Sequence, residues 1–478
     1  MFLQSSPLWR AVCRLANAIG IAIAAAVLLG TWEPVAAQTA PVTAPSQGTS
    51  ARTILDGYVA DAIRANLALA QQRAQLDRAD AAVREAKGRY LPTLAANARY
   101  SEVSGVVNIG DFINPAYNAL NQLVGEPRFP TNINATLPFK QESKVELTWS
   151  LFNAAIGAGH RAARAQRELV GAGRRTAMRQ LAADVQLSWL GYASLDQAVA
   201  TLDATLPVLE ENVRVSTRLI EAGQATPDAL LRARAARSEV QQQLDDARRQ
   251  RDAARRAFNL LRDRDADADV ALANDSTLLR MEPLTLNAAV TRALAHREEL
   301  SQAQSGIRLA DAQRRAATAG ALPSLALSTS YGVQGNQYRL SRDSDVALAN
   351  LVFSWSLFTG GQTNARREQA MALRNEADLR RRELERAVRV QVENAYDAVQ
   401  SASRALATAD DRVAAAERAF TLVQRRFAEG LASQLEFIGA RSAYTSAATN
   451  QILTRFTFAT RVVELERAAA LRTLPERP

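Results

Sequence analysis

The chain has 478 residues, 47% of them hydrophobic and 22% charged, with a formal net charge of +9 and a single cysteine, which excludes a disulfide-built scaffold. The positive balance is almost all arginine, since Lys87, Lys140 and Lys144 are the only lysines, and the arginines alternate with Asp and Glu along helical stretches. Mixed-sign charge of that kind is a solvated helix face and argues against a nucleic-acid partner.

Arg10 and Arg14 precede an apolar run from Leu15 to Gly30, and Val35-Ala36-Ala37 places small residues where a signal peptidase cuts. Residues 1–37 are therefore expected to be a secretory signal peptide, its apolar run short for a membrane-spanning helix, and 38–51 an N-terminal linker. Cys13 precedes the run without a lipobox, so the exported chain is expected to carry neither disulfide nor lipid anchor. No Pro/Gly/Ser-rich linker divides residues 52–478; the chain repeats there instead. Residues 54–100 align without a gap onto 285–331, so that Leu91-Pro92-Thr93-Leu94 falls on Leu322-Pro323-Ser324-Leu325. Trp149-Ser150-Leu151-Phe152 recurs as Trp355-Ser356-Leu357-Phe358, and Glu221-Ala222-Gly223 recurs, with one change, as Ala428-Glu429-Gly430. One structural unit has been built twice, over 52–283 and 284–478.

Each unit opens on a helical arm and continues into two alternating segments, giving expected β-hairpins over 93–151 and 323–357. Leu94, Ala96, Ala98 and Tyr100 oppose Asn97, Arg99 and Ser101, while Val145, Leu147, Trp149 and Leu151 oppose Glu146, Thr148 and Ser150. In the second unit Leu325, Leu327, Tyr331 and Val333 oppose Ser324, Ser328 and Ser330, and Ala349, Leu351, Phe353, Trp355 and Leu357 oppose Asn350, Ser354 and Ser356. Period-two alternation over about ten residues marks a strand with one apolar face, long enough to cross a membrane when tilted. Trp149, Phe152, Trp355 and Phe358 stand beside the long helices and Tyr100 and Tyr331 further out, as two interfacial girdles would. Asn114-Pro115, Pro127, Pro130 and Asn132 make residues 104–142 read as mostly an external loop. Four strands cannot close a barrel and open edges are not tolerated in lipid, so two, three or four copies must combine.

The long helical segments come next. Tyr192, Leu195, Val199, Leu202, Leu206, Leu209, Val213 and Ile220 step by three and four, with Ser216 in the remaining place; shifted by 207 residues, the ladder reads Val399, Ala402, Leu406, Ala409, Val413, Ala416, Phe420, Val423 and Phe427. Such a repeat predicts coiled-coil packing of neighbouring helices, with a helix from about His160 to Glu221 and a kink at Pro207 in the first copy only. Both helices end at a glycine suited to the left-handed C′ position, Gly223 and Gly430. N-caps come next: Thr226 with Pro227 and Asp228, and Ser433 with Glu436, which forms a capping box. The hairpin tips thus lie near 223–226 and 430–433.

With the tips in place, the chain from about Arg52 to Leu471 resembles the TolC-like outer-membrane factor (outer membrane efflux protein) family. The resemblance rests on the duplicated order of helix, Leu-Pro, two strands, Trp-Ser-Leu-Phe and helix, and on the Gly, Thr or Ser, small-apolar pattern of the tips. It implies an α+β membrane protein: a homotrimer with a 12-stranded outer-membrane β-barrel, four strands from each chain, continued by a long periplasmic α-helical coiled-coil barrel. It implies a passive exit duct of a tripartite efflux pump or type I secretion system, embedded in outer-membrane lipid, its tips (Gly223, Thr226, Gly430, Ser433) meeting a periplasmic adaptor coupled to an inner-membrane pump. The acidic constriction of such ducts maps onto Glu436, which also reads simply as the capping-box partner; the second acidic position is Gly439, and a locking arginine maps onto Ala432.

Two other classes compete. An exported structural or adhesive coiled-coil protein explains the heptads but not the strand hairpins and their tryptophans. A secreted hydrolase would need chemistry that the sequence lacks: His160 and His296 are the only histidines and read as solvated or capping, and metal-ligand spacing and phosphate loops are absent. No catalytic residue, metal or cofactor is expected.

Overall fold

A computed structural model of the protein describes residues 50–102, 108–134, 140–223, 226–273, 283–335 and 345–472. The expected signal peptide and nearly all of the linker lie outside these. The first unit begins with α1 (Ala51–Ala65) and α2 (Leu67–Gly88). The arm is thus two helices, broken at Asn66, whose extended backbone lets its side-chain oxygen cap Ala68 and Leu69 while its amide nitrogen donates to the Leu261 carbonyl at 2.9 Å. After Pro92 come β1 (Thr93–Tyr100), a helix α3 (Gly110–Val124) and β2 (Gln141–Asn153). Within residues 104–142, expected to be mostly an external loop, a helix occupies the centre and β2 begins at Gln141, while 104–107 and 135–139 lie outside the described residues.

Asn153 ends β2 and caps α4 (Ala154–Glu221) directly, accepting from the Ala155 N–H at 2.9 Å. At 68 residues α4 is about 100 Å long. It begins earlier than His160 and passes through Pro207 unbroken. The missing N–H would have served the carbonyl of Asp203, which sits on the exposed face where water can reach it. α5 (Pro227–Leu261) returns antiparallel.

The second unit repeats this order with α6 (Leu286–His296), α7 (Glu298–Ala319), β3 (Ser324–Gly335), β4 (Asp345–Ser354), α8 (Gln362–Ala428) and α9 (Gln434–Ala468). Its arm breaks at Arg297, buried and bonded to Glu299 and to Gln391 at 2.7 Å. The strand-to-helix junction differs. β4 stops at Ser354, so Trp355 and Leu357 lie beyond the strand expected to contain them, and Gly360 and Gly361 turn the chain through left-handed φ of 58° and 81°.

The core is duplicated like the sequence. α1 packs Val59 against Leu181 and Val185 of α4, with Trp189 and Phe258 fully buried beside them. α6 packs Val290 against Val388 and Val392 of α8, with Leu465 in the corresponding place. Towards the tips, every position of the two heptad ladders is buried or half-buried, while most residues between them in α8 are exposed. The four long helices thus pack through narrow seams.

Candidate functional site

The sheet end is a single layer in which β1, β2, β3 and β4 pair antiparallel in chain order, leaving one edge of β1 and one of β4 unpaired within the chain. Register sorts the side chains. Leu94 pairs with Leu147, Ala96 with Val145, Val145 with Tyr331 and Trp149 with Leu327, so the apolar residues of the four strands share one face. Asn97, Arg99, Glu142, Lys144, Glu146, Ser328, Ser330 and Asn350 share the other, where Arg99 and Lys144 both pair with Glu142 at 3.1 and 2.9 Å and Ser328 bonds Glu146 at 3.3 Å. β4 departs most from this, with Val346, Leu348 and Val352 on the charged side, where Ala95 of β1 and Ala326 of β3 also lie. The apolar face is uncovered: Leu94, Tyr100, Trp149, Tyr331, Leu351 and Phe353 are all exposed.

The aromatic residues stand at the two ends. Trp149 donates its indole N–H to the Tyr90 carbonyl at 3.0 Å, and Trp355 donates to the repeat-equivalent Ala321 carbonyl at 3.2 Å, so both rings are tied to the end of an arm helix. At the far end the Tyr100 and Tyr331 hydroxyls donate to Glu102 and Asp345. Phe152 and Phe358 are exposed beside the tryptophans. The equivalent residues are not level in the register: Tyr100 pairs with Gln141 and through it stands beside Gly335, four residues past Tyr331, and Trp149 stands through Leu327 beside Leu351, four residues short of Trp355. Both pairs are displaced in the same direction by roughly 13 Å over two strand spacings of about 10 Å. They become level only if the strands incline by roughly 50°, as strands of a closed barrel do.

The tips lie at the other end. Gly223 and Gly430 take φ of 70° and 72°, and a Cβ at either would meet nothing within 4 Å, so glycine serves the backbone conformation alone. Ser433 and Glu436 form the expected capping box: the Glu436 N–H donates to the serine hydroxyl at 3.2 Å and the Ser433 N–H to the glutamate at 2.7 Å. That backbone bond holds the Glu436 carboxyl below its ordinary pKa. Thr226 occupies the N-cap and Pro227 opens α5, but the threonine hydroxyl donates to Asp228 and caps no backbone N–H. This hydroxyl bond lowers the Asp228 pKa in turn.

Sequence reasoning missed the ties between the hairpins. Gln434, at the start of α9, donates to the Ser216 hydroxyl of α4 at 2.8 Å and to the Ala229 carbonyl of α5 at 3.0 Å. Two turns on, Arg441 donates to Thr205 of α4 at 3.1 Å, its guanidinium against the Phe420 and Tyr444 rings at 5.1 and 5.6 Å. Its partners are a hydroxyl and two ring faces, and burial lowers its pKa. Cavities of about 820 and 750 Å³ flank this seam, with Thr205, Arg441 and Thr445 lining both. No periodicity marks Arg441, because its place is set by the neighbouring helix. His160 is half-buried: it meets the Tyr90 ring edge-on at 5.9 Å and its buried Nε2 has no partner. His296, the last residue of α6, is exposed. Among the described residues no cluster of His, Cys, Asp or Glu could hold a metal ion, and no helix is long and apolar enough to cross a membrane.

The profile of the family described as "Outer membrane efflux protein" matches residues 289–471, from the second arm to the end of the last helix. The matched stretch lies within the second unit, and the first unit repeats its element order. No curated protein matches the sequence. The fold is that of solved outer-membrane proteins. The chain is similar to VceC of Vibrio cholerae at 18% identity and a TM-score of 0.70, over 87% of this chain and 96% of that one. It is similar to the CmeC outer membrane channel of Campylobacter jejuni at 15% and 0.70, over 87% and 85%. It is similar to the MtrE outer membrane channel of Neisseria gonorrhoeae at 20% and 0.69, over 87% and 88%.

Proposed function

We propose that three copies of this chain close a twelve-stranded barrel, β1 of each pairing with β4 of the next, and that their helical hairpins continue it as a periplasmic tunnel. The single observation that carries this reading is a sheet one layer thick, apolar on one face and charged on the other, with an open edge on each side. Apolar side chains then face lipid, Arg99, Glu142, Lys144 and Glu146 face the lumen, and pairing between copies removes edges that lipid does not tolerate. Tyr100, Tyr331, Trp149, Phe152, Trp355 and Phe358 form the two interfacial girdles.

The duct is passive. It performs no covalent chemistry and binds no cofactor; an inner-membrane pump of a tripartite efflux or type I secretion system supplies the energy. A periplasmic adaptor docks at the tips, where Leu231, Leu431 and Leu435 are exposed around the two glycine turns. Opening parts the hairpins along the α4–α9 seam, where Gln434 and Arg441 are the polar ties. Glu436 is first a capping residue and second an acidic group at the periplasmic mouth. The test is export in cells that carry a cognate pump and adaptor but lack their own duct. Wild type restores export, whereas Gly430→Val remains trimeric in the outer membrane and does not; restoration by Gly430→Val would mean that docking does not need the tips.

A further inference from the structure

The connection between β1 and β2 holds a helix that the shorter connection between Gly335 and Asp345 has no room to match. Along α3, Phe112, Ile113, Ala116, Tyr117, Ala119, Leu120, Leu123 and Val124 fall on one arc of roughly 160°, and Asp111, Asn114, Asn118, Asn121 and Gln122 on the opposite one. The polar side is fastened down. Asn114 exchanges two hydrogen bonds with the Ile133 backbone at 2.8 Å, and Asn121 exchanges two with Phe129 at 2.8 and 2.9 Å. Gly110 lies so near the Ile133 carbonyl that a Cβ would come within 1.8 Å of its oxygen, and Gly125, at φ 72°, closes the other end. The returning segment 129–133 therefore covers Asn114 and Asn121 and, through Phe129 against the Tyr117 ring at 5.3 Å, one margin of the apolar side, and leaves the rest of that side outward, with Phe112 at 73% and Leu123 at 84% exposure. Folded domains bury the other side.

Lipid tails do not explain this face. α3 starts ten residues beyond Tyr100, past the Glu102–Lys140 ion pair at 2.6 Å that marks a polar level at the base of the connection. An anionic headgroup surface does not explain it either, since interfacial helices carry lysine and arginine on their polar side. Residues 108–134 hold one cation, Arg128, paired with Glu126 at 3.4 Å, and one further acid, Asp111. A second copy of the chain fits. α3 hangs from β1, the edge strand, so in the trimer proposed above it stands at the junction with the next copy. Twelve inclined strands leave a mouth roughly 25–30 Å across, which three helices of about 10 Å diameter fill.

We propose, resting on that trimer reading, that the three α3 helices pack against one another through their apolar faces and close the outer mouth of the duct. Single-cysteine variants Leu123→Cys and Asn118→Cys, exposed positions on opposite sides, are made in full-length protein, and its mass is measured in detergent before treatment with a short bifunctional thiol reagent. The expected result is a trimer in which Leu123→Cys links copies at least tenfold more efficiently than Asn118→Cys, and in which Phe112→Ser with Leu123→Ser raises open-channel conductance severalfold. A trimer in which both cysteines stay unlinked and react equally with a water-soluble maleimide overturns the proposal and spares the duct; so does quenching of a probe at Leu123→Cys by brominated lipid. A monomer by mass overturns the trimer reading and this proposal together.

Discussion

The two hairpin tips share one turn and differ in how the next helix is held. In both, a long helix stops at a glycine with φ near 70° and its return helix begins four residues later. The second tip closes with a reciprocal capping box, Ser433 to Glu436 and back, and Gln434 ties it to the first hairpin. At the first, Pro227 presets the backbone, but the Thr226 hydroxyl is spent on Asp228 and caps nothing. The duplicated element is thus the turn, and the caps have diverged. Gln434 ties the two tips together, but only the second has a side-chain cap of its own, so loosening should begin at the first turn of α5.

The largest effect is expected where the tips agree. Valine at Gly223 or Gly430 must adopt a left-handed φ that costs a β-branched residue more than the 1–2 kcal/mol typical of side chains with a Cβ, roughly 2 kcal/mol or above. Both variants should lose export while remaining trimeric, read by complementation and by mass in detergent. Next comes the seam between the hairpins. Arg441→Ala removes a hydroxyl bond and two ring contacts, about 1–2 kcal/mol in all, and should raise channel open probability severalfold in bilayers; Arg441→Lys, which keeps charge but not the planar fork, should do nearly as much.

The caps sharpen the comparison further. Ser433→Ala should weaken the first turn of α9 by about 1 kcal/mol, and Thr226→Ala the first turn of α5 by only a few tenths, measured as the change in amide-exchange protection at each turn. Equal losses would show that the two caps work alike. The smallest effect is that of pH. Because the folded Glu436 carboxyl is held below the unfolded value of about 4.3, its contribution is present above that pH and is lost as pH falls through the folded value. Protection of the α9 first turn should drop on acidification below about pH 4 in the wild type and stay flat in Glu436→Gln.

Much of this architecture was written in the sequence because duplication states each feature twice. The arms, the strand faces, the heptad ladders, both glycine turns and the capping box all follow from residue pattern. What the sequence concealed depended on distant partners. Asn114 and Pro115 looked like turn residues, yet both lie in α3, which Asn114 and Asn121 fasten to segment 129–133. Trp355 matched Trp149 in sequence, but β4 ends one residue before it, since two left-handed glycines delay the second long helix. Arg441 has one partner within its own turn, the Tyr444 ring, and its others, Thr205 and Phe420, lie on α4 and α8.

The central claim is that an open four-stranded sheet becomes a closed channel by copying. Its most direct test is single-channel recording of the purified protein in planar bilayers, with its mass in detergent measured on the same preparation. The predicted result is a trimer that inserts and gives small, rarely open channels, made larger and more frequent by Arg441→Ala. An elongated, detergent-independent particle that never inserts would contradict it.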